Sequence, residues 1–153
     1  PDLGRSINIA RAQTEGLELS ARMETGRIDA RASYTLLRAE DRGPATADER
    51  RLIRRPRHAV AADVNWREGR LVAGAGATGS LDREDTDFNV FPFVRVNPGD
   101  YLDARIYGEW RTGGGILVRA RLENLFDTRY EEAYGFPTLG RRLAIGVGID
   151  RIR

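Results

Sequence analysis

Apolar and polar residues alternate along most of this chain of 153 residues, and this two-residue period constrains the fold more than any other feature. In residues 101–111, Leu102, Ala104, Ile106 and Trp110 share one parity, whereas charged and tyrosine side chains fill every position of the other. A helix would scatter both sets around its axis, but a strand places them on opposite faces. The alternation therefore predicts a strand with one apolar and one polar face.

The same alternation recurs in six other segments of the chain. It predicts strands over residues 5–25, 28–36, 60–66, 70–81, 116–123 and 143–149. Strands that follow one another so closely with a single period favour an all-β fold rather than alternating helices and strands.

The connections between these segments alternate in length. Short glycine-containing turns are predicted at residues 24–27, 67–70 and 112–115. The remaining connections are long and cover residues 40–55, 82–100 and 127–140, with a short helical turn expected around Glu49–Arg54. Short turns at one end and long loops at the other predict an antiparallel up-and-down meander of about seven or eight strands, which is the pattern of outer-membrane barrels.

The residues on the two faces favour a membrane sheet over a soluble one. Many apolar-face positions are alanine or glycine, which would underfill a soluble core but are acceptable against fluid lipid chains. The other face mixes arginines with carboxylates, which suits a polar lumen. Trp66 and Trp110 lie on the apolar parity just before tight turns, where an interfacial aromatic girdle is expected. We therefore predict that the meander is part of a transmembrane β-barrel.

Composition argues against several other functions. The 25 basic residues, all arginine, are balanced by 23 acidic residues, so no basic patch for nucleic acid is expected. Cysteine is absent and His58 is the only histidine, and we predict no catalytic residues, no metal site and no cofactor. The acidic stretch 82–87 lacks the spacing of a calcium loop and is interpreted as a solvated loop.

The string from Gly74 to Gly79 matches a dinucleotide-binding fingerprint in its letters. That fingerprint requires a helix to begin directly after it, so that phosphate meets the helix amino terminus. The residues that follow show no helical apolar stripe. We interpret these glycines as small residues inside a strand, where the wall bends or a neighbouring group approaches closely.

Two stretches near the carboxyl terminus are more specific. Residues 123–132, ENLFDTRYEE, and 134–142, YGFPTLGRR, resemble the end of TonB-dependent outer-membrane receptors. The positions that carry this resemblance are Asn124, Leu125, Phe126, Asp127, Tyr130, Pro137, Gly140 and Arg141. Residues 8–19 and 54–58 are similar to earlier strand elements of the same family. Together these elements cover most of the chain and resemble the vitamin B12 and siderophore receptor branch.

This resemblance implies that residues 1–153 form the carboxyl-terminal portion of a receptor barrel, without the plug domain and the earlier strands. Its implied location is the outer membrane of a Gram-negative bacterium. The implied function is import of a scarce nutrient, such as vitamin B12 or a metal-siderophore, with energy that TonB transmits through the plug. The implied partners are outer-membrane lipid, TonB and the nutrient, and no enzyme activity is implied. As an isolated fragment, the chain is expected to oligomerise or exchange strands through its open edges.

The long loops of such barrels face the outside, so aromatic residues within them are candidates for ligand contact. We predict this role for Phe88, Phe91, Phe93, Tyr130 and Tyr134. One alternative is a small closed β-barrel that acts as a soluble ligand-binding module. It requires the first strand to split near residues 14–16, which would give about eight strands and allow closure.

Overall fold

The computed structural model describes residues 11–43 and 50–149, and within them every regular element is a β-strand. No helix in these two ranges is long and apolar enough to cross a membrane. The strands are β1 (Ala12–Thr25), β2 (Ile28–Asp41), β3 (Arg50–Arg51), β4 (His58–Glu68), β5 (Leu71–Leu81), β6 (Asp85–Asp87), β7 (Val94–Val96), β8 (Tyr101–Arg111), β9 (Ile116–Glu123), β10 (Glu131–Ala133), β11 (Phe136–Pro137) and β12 (Arg142–Ile149). The predicted all-β class is confirmed.

Seven long strands form one antiparallel sheet in the order β1-β2-β4-β5-β8-β9-β12, with short β3 beside β2. The pairs β6-β7 and β10-β11 are small ribbons inside two of the long connections. The predicted meander is confirmed, but the helical turn around Glu49–Arg54 is wrong. Arg50 and Arg51 instead pair with Asp41 and Glu40, because the end of β2 offers unpaired backbone groups. Glu49 and the predicted strand residues 5–10 lie outside the described ranges.

The tight turns that follow β1, β4 and β8 lie together at one end of the sheet. Gly26, Gly69 and Gly115 have φ angles of 47°, 56° and 76° in these turns. Glycine adopts this left-handed conformation without the steric cost that a Cβ imposes. The long connections consequently gather at the opposite end.

The strand register brings the apolar parity of all seven long strands onto one face, which we call the outer face. One row of it crosses the whole sheet through Met23, Ala30, Val64, Ala75, Ile106, Leu122 and Leu143. No described residue covers this face, and Ile145, Val147 and Ile149 on β12 are 70%, 73% and 84% exposed. Such a continuous apolar surface is typical of contact with lipid or a partner.

The sheet does not enclose a soluble core. Among the described residues, Ala39 and Leu117 are the only buried hydrophobic ones. Strand β1 runs without a break from Ala12 to Thr25, and β1 and β12 are the two edges of the main sheet. The alternative of a small closed barrel is therefore wrong for the described residues, because β1 does not split near residues 14–16 and does not pair with β12.

Alanines form a furrow across the middle of the outer face. Five of them occupy adjacent strands in register: Ala21, Ala32, Ala62, Ala77 and Ala104. Larger side chains such as Met23 and Ile106 lie in the next row. A solid protein core would leave voids over this row, whereas mobile acyl chains can fill it.

The polar face carries a network that crosses β5. Arg105 Nη2 on β8 donates to Asp63 Oδ2 on β4 over 2.9 Å, and Tyr107 Oη lies 2.8 Å from Asp63 Oδ1. A Cβ at Gly74 would lie 2.6 Å from Tyr107 Cε2, and one at Gly76 would lie 2.6 Å from Asp63 Oδ2. Side chains of neighbouring strands therefore approach the backbone closely at these glycines, as the sequence predicts, and the glycines do not form a nucleotide-binding turn.

Neighbouring positions on β5 test the assignment of the faces. Replacing Ala77 by Arg puts a charge on the outer face near the middle of the strand and should lower the free energy of unfolding in a bilayer by about 2–4 kcal/mol. Thr78→Arg is the matched control, because Thr78 lies on the polar face opposite Asp103. Denaturant titrations in phospholipid vesicles should show a small effect for Thr78→Arg. Equal effects of the two substitutions would contradict a lipid-facing outer surface.

Candidate functional site

Three long connections converge at the end of the sheet opposite the tight turns. We name them the β2–β4 loop (42–57), the β5–β8 loop (82–100) and the β9–β12 loop (124–141). Residues 44–49 of the first loop lie outside the described ranges. The described residues of these loops contact one another through two buried side chains, Asp85 and Arg83.

Asp85 joins all three loops. Its side chain is 1% exposed, and it accepts hydrogen bonds from Arg54 Nε at 3.1 Å and from the backbone N–H groups of Thr86 and Tyr134, each at 2.8 Å. Arg54 belongs to the β2–β4 loop and Tyr134 to the β9–β12 loop. A buried carboxylate with a cationic partner and two amide donors ties the loops together more firmly than neutral contacts would.

The environment of Asp85 keeps it ionised. Burial alone would raise the pKa of this carboxyl, but the N–H groups of Tyr134 and Thr86 and the Arg54 guanidinium hold the pKa below its ordinary value of 3.8. The interpretation of residues 82–87 as a solvated loop is therefore wrong at Asp85. The run of acidic residues concealed that one of them faces donors from two other loops.

Arg83 forms the second contact between loops. Only 7% of this residue is exposed, and its guanidinium donates to the backbone oxygens of Gly99, at 2.8 Å, and Glu132. Its Cζ lies 4.9 Å from the centre of the Tyr101 ring, which itself stacks on Tyr130 at 4.2 Å. This stack fixes the β9–β12 loop against the first residue of β8.

Tyr130 is part of the wall rather than of an open surface. Burial and the nearby Asp103 carboxylate raise the pKa of its phenol to about 12, so the ring is neutral at physiological pH. Tyr134 lies at the tip of the β10-β11 ribbon, where its backbone N–H reaches Asp85. The structure therefore gives both tyrosines a role in loop packing, and their predicted contact with ligand stays a prediction.

The three phenylalanines that the sequence singles out lie together. They occupy the tip of the β6-β7 ribbon, with ring centres 5.3 Å apart for Phe88 and Phe93 and 5.9 Å apart for Phe91 and Phe93. Their exposed fractions are 54%, 76% and 59% for Phe88, Phe91 and Phe93. We call this group the phenylalanine cluster. Arg54 connects it to Asp85, because the Arg54 Cζ lies 5.9 Å from the centre of the Phe88 ring.

The residues of the family-like motif shape the return into β12. Asn124 is 4% exposed, and its side chain both donates to the Thr128 oxygen and accepts from the Thr128 N–H, each at 2.8 Å. Asp127 Oδ1 accepts from the Arg141 N–H at 2.8 Å. A Cβ at Gly140 would lie 2.7 Å from that same oxygen. These contacts close the loop and contribute no exposed ligand group.

Other motif residues have similar structural positions. The Leu125 N–H donates to the Ala104 oxygen at 2.8 Å, and Pro137 in β11 pairs with Glu131. Phe126 is 66% exposed. The motif thus identifies the fold through its turn geometry.

The two tryptophans lie where the alternation predicts them. Trp66 is opposite Ile28 and Ala73 on the outer face, and Trp110 is opposite Leu71 and Val118. Both are near the tight turns, and Trp110 is 54% exposed. Their role in an interfacial girdle stays a prediction.

Sequence reasoning missed the arginines of the site. Arg54 and Arg83 belong to charged runs that look solvated in isolation, and only the strand register brings them beside Asp85 and Glu132. The described residues contain no group of three or more histidine, aspartate or glutamate side chains placed to hold a metal ion.

Solved structures of receptors and transporters contain segments with the same fold as this chain. No protein-family profile matches the chain. The ferripyoverdine receptor of the Pseudomonas aeruginosa outer membrane, bound to ferripyoverdine, superposes with a TM-score of 0.74 at 17% identity over 89% of this chain and 19% of its own. The Acinetobacter baumannii siderophore receptor PiuA superposes with a TM-score of 0.69 at 20% identity, over 89% of this chain and 21% of its own. The copper transporter OprC superposes with a TM-score of 0.67 at 20% identity, over 89% of this chain and 22% of its own.

These neighbours confirm the resemblance at the level of the fold. The seven-stranded sheet has the architecture of a segment of a TonB-dependent receptor barrel. The chain spans about a fifth of the length of the proteins that it matches. They are receptors and transporters rather than enzymes.

Acidification should release the β9–β12 loop from Asp85. Because the folded protein holds the pKa of this carboxyl below its ordinary value of 3.8, the stabilisation is complete above that value and is lost as the pH falls through the folded-state pKa. Hydrogen exchange at the Tyr134 amide should therefore be slow at neutral pH and lose its protection only below about pH 4.

Asp85→Asn should abolish most of this pH dependence. At neutral pH it should also weaken the protection of the Tyr134 amide by about 1.5–3 kcal/mol, because a charge-assisted acceptor is lost. Asp87→Asn is the control, since the Asp87 carboxylate accepts from Asn89 of its own loop. Protection that is the same in both variants would show that Asp85 does not hold the loops together.

Proposed function

We propose that this chain forms part of the barrel wall of an outer-membrane active transporter that imports a scarce nutrient with energy transmitted by TonB. The observation that carries the proposal is the pairing of an uncovered apolar outer face with an ion-paired polar face on one sheet. That arrangement fits a wall between lipid and a polar lumen. The match of 89% of the chain to outer-membrane receptors supports it.

The neighbours support a metal or a metal chelate as the nutrient. Ferripyoverdine occupies the P. aeruginosa receptor, PiuA is a siderophore receptor and OprC is a copper transporter. None of these three names indicates vitamin B12. We therefore favour a metal-siderophore or a related chelate as the substrate of the protein that contains this chain.

The phenylalanine cluster is the proposed first contact for this substrate. In barrels of this kind the tight turns face the periplasm and the long loops face the outside, so the β6-β7 ribbon would present its tip to the extracellular medium. Exposed aromatic rings in edge-to-face contact are an unusual surface for solvated loops, and they suit recognition of an amphipathic ligand.

The partners of the remaining surfaces follow from the same assignment. Outer-membrane lipid would contact the outer face, and the edges of β1 and β12 would pair with further barrel strands. The plug domain of the complete receptor would carry the contact with TonB. Strand pairing at both edges would also remove the tendency of an isolated fragment to oligomerise or exchange strands.

Alanine substitution of Phe88, Phe91 and Phe93 together should weaken substrate binding at least about tenfold, since three apolar rings leave the contact. The measurement is the affinity and uptake of a panel of ferric siderophores by cells that express the complete protein. The amount of protein in the outer membrane should stay unchanged, because these rings are exposed.

Phe136→Ala is the matched control for this experiment. Phe136 is 71% exposed and lies in the β9–β12 loop, so its loss should leave uptake unaltered. If no chelate in the panel, and no copper ion, is taken up through the wild-type protein, the proposal of metal import fails. If uptake is normal in the triple variant, the phenylalanine cluster is not part of the binding surface.

A further inference from the structure

A small polar cavity lies between the three loops, next to the contacts made by Asp85 and Arg83. Its volume is about 250 Å³, which is enough for one small polar group of a larger ligand. Its lining includes the charged residues Arg54, Arg55, Arg83, Glu84, Asp85 and Glu132. Tyr101 and Ser80 on the polar face of the sheet also line it.

The ion pairs around this cavity leave a positive charge unmatched. Arg54 pairs with Asp85 at 3.1 Å, and Glu84 pairs with arginines outside the cavity lining, Arg51 at 3.2 Å and Arg95 at 3.4 Å. Within residues 11–43 and 50–149, Arg55, Arg83 and the Glu132 carboxylate form no ion pair. The cavity lining therefore contains two guanidinium groups and one carboxylate outside any ion pair, which leaves a net charge of one positive unit.

The burial of Arg83 makes this imbalance significant. A guanidinium that is only 7% exposed has lost most of its hydration, and transfer of an unpaired charge out of water is costly. Two carbonyl oxygens, of Gly99 and Glu132, accept from it, and the Tyr101 ring lies beneath it. These groups are neutral dipoles, so the full negative charge that a buried guanidinium normally receives is absent from the described residues.

We propose that this cavity binds a carboxylate group of the transported ligand, with Arg83 and Arg55 as its donors. The inference rests on the proposed function and specifies the chemical class of the substrate. A single uncompensated positive charge matches a carboxylate better than a doubly charged phosphate. The planar guanidinium fork also presents paired N–H donors to a carboxylate.

Arg54 places this cavity beside the phenylalanine cluster. Its guanidinium contributes to the cavity lining and also lies 5.9 Å from the centre of the Phe88 ring. A ligand could therefore insert its carboxylate between the loops while an apolar or aromatic part rests on the phenylalanines. The Asp85 contacts hold Arg54 in the position that connects the two surfaces.

Benzoate and benzamide form a matched pair of probes, because they differ mainly in the negative charge of the carboxylate. NMR titration of the complete protein in detergent micelles should show benzoate binding at least about tenfold more tightly than benzamide. Phenyl phosphate is the third probe. Equal binding of benzoate and benzamide, or tighter binding of phenyl phosphate, would overturn the assignment of a carboxylate site.

Arg83→Gln and Arg55→Gln should each reduce the preference for benzoate over benzamide by about tenfold. Arg55 is exposed, so its variant should fold even if loss of Arg83 disturbs the loops. Arg129→Gln is the control, since Arg129 is an exposed arginine of the β9–β12 loop that does not line the cavity. An unchanged preference in Arg55→Gln would contradict the proposal.

The outcomes separate this inference from the proposed function. Metal uptake that depends on the phenylalanine cluster, together with no preference for benzoate, would support the proposed transport function and contradict the carboxylate site. A benzoate preference that depends on Arg55 and Arg83, in a protein that imports no metal, would support the carboxylate site and contradict the proposed transport function.

Discussion

The apolar outer face is the constraint on which the rest of the structure depends. Seven strands align their apolar parity, and no layer of described residues covers it, so this sheet needs an apolar environment rather than a second sheet. Backbone N–H and C=O groups in lipid must find partners within the protein, and the antiparallel ladder supplies them for every strand except at the edges of β1 and β12. In the proposed barrel wall, the membrane replaces the core that a soluble sheet of this size would require.

On the polar face and in the loops alike, charged side chains form hydrogen bonds and ion pairs with residues of other strands or loops. Arg105 and Tyr107 meet Asp63 over the glycines of β5, and Arg54 meets Asp85 across two loops. The first contact stiffens the sheet between strands, and the second gives the end that carries the long loops a fixed shape. A fixed shape matters for recognition because less conformational freedom is lost when a ligand binds.

Sequence reasoning predicted the strands well because their signal is local. The period of two, the glycine turns and the parity of Trp66 and Trp110 all depend on neighbours within a few residues. The phenylalanine cluster was also accessible, since its three rings lie within six consecutive positions. The roles of Asp85, Arg54 and Arg83 could not be predicted, because their partners in the other loops lie 31 to 49 residues away in the chain and only the register of the sheet brings them together.

The central claim is that alternate residues of one strand face lipid and a polar lumen. The chain has no cysteine of its own, so single cysteines at positions 118 to 123 of β9 can be introduced into the complete protein in bilayers, with any cysteine outside this chain replaced by serine. A charged water-soluble maleimide should label the variants of Arg119, Arg121 and Glu123 and leave those of Val118, Ala120 and Leu122 unlabelled, because only a thiol in contact with water ionises to the reactive thiolate. Labelling of all six positions by the charged reagent at similar rates would contradict the account.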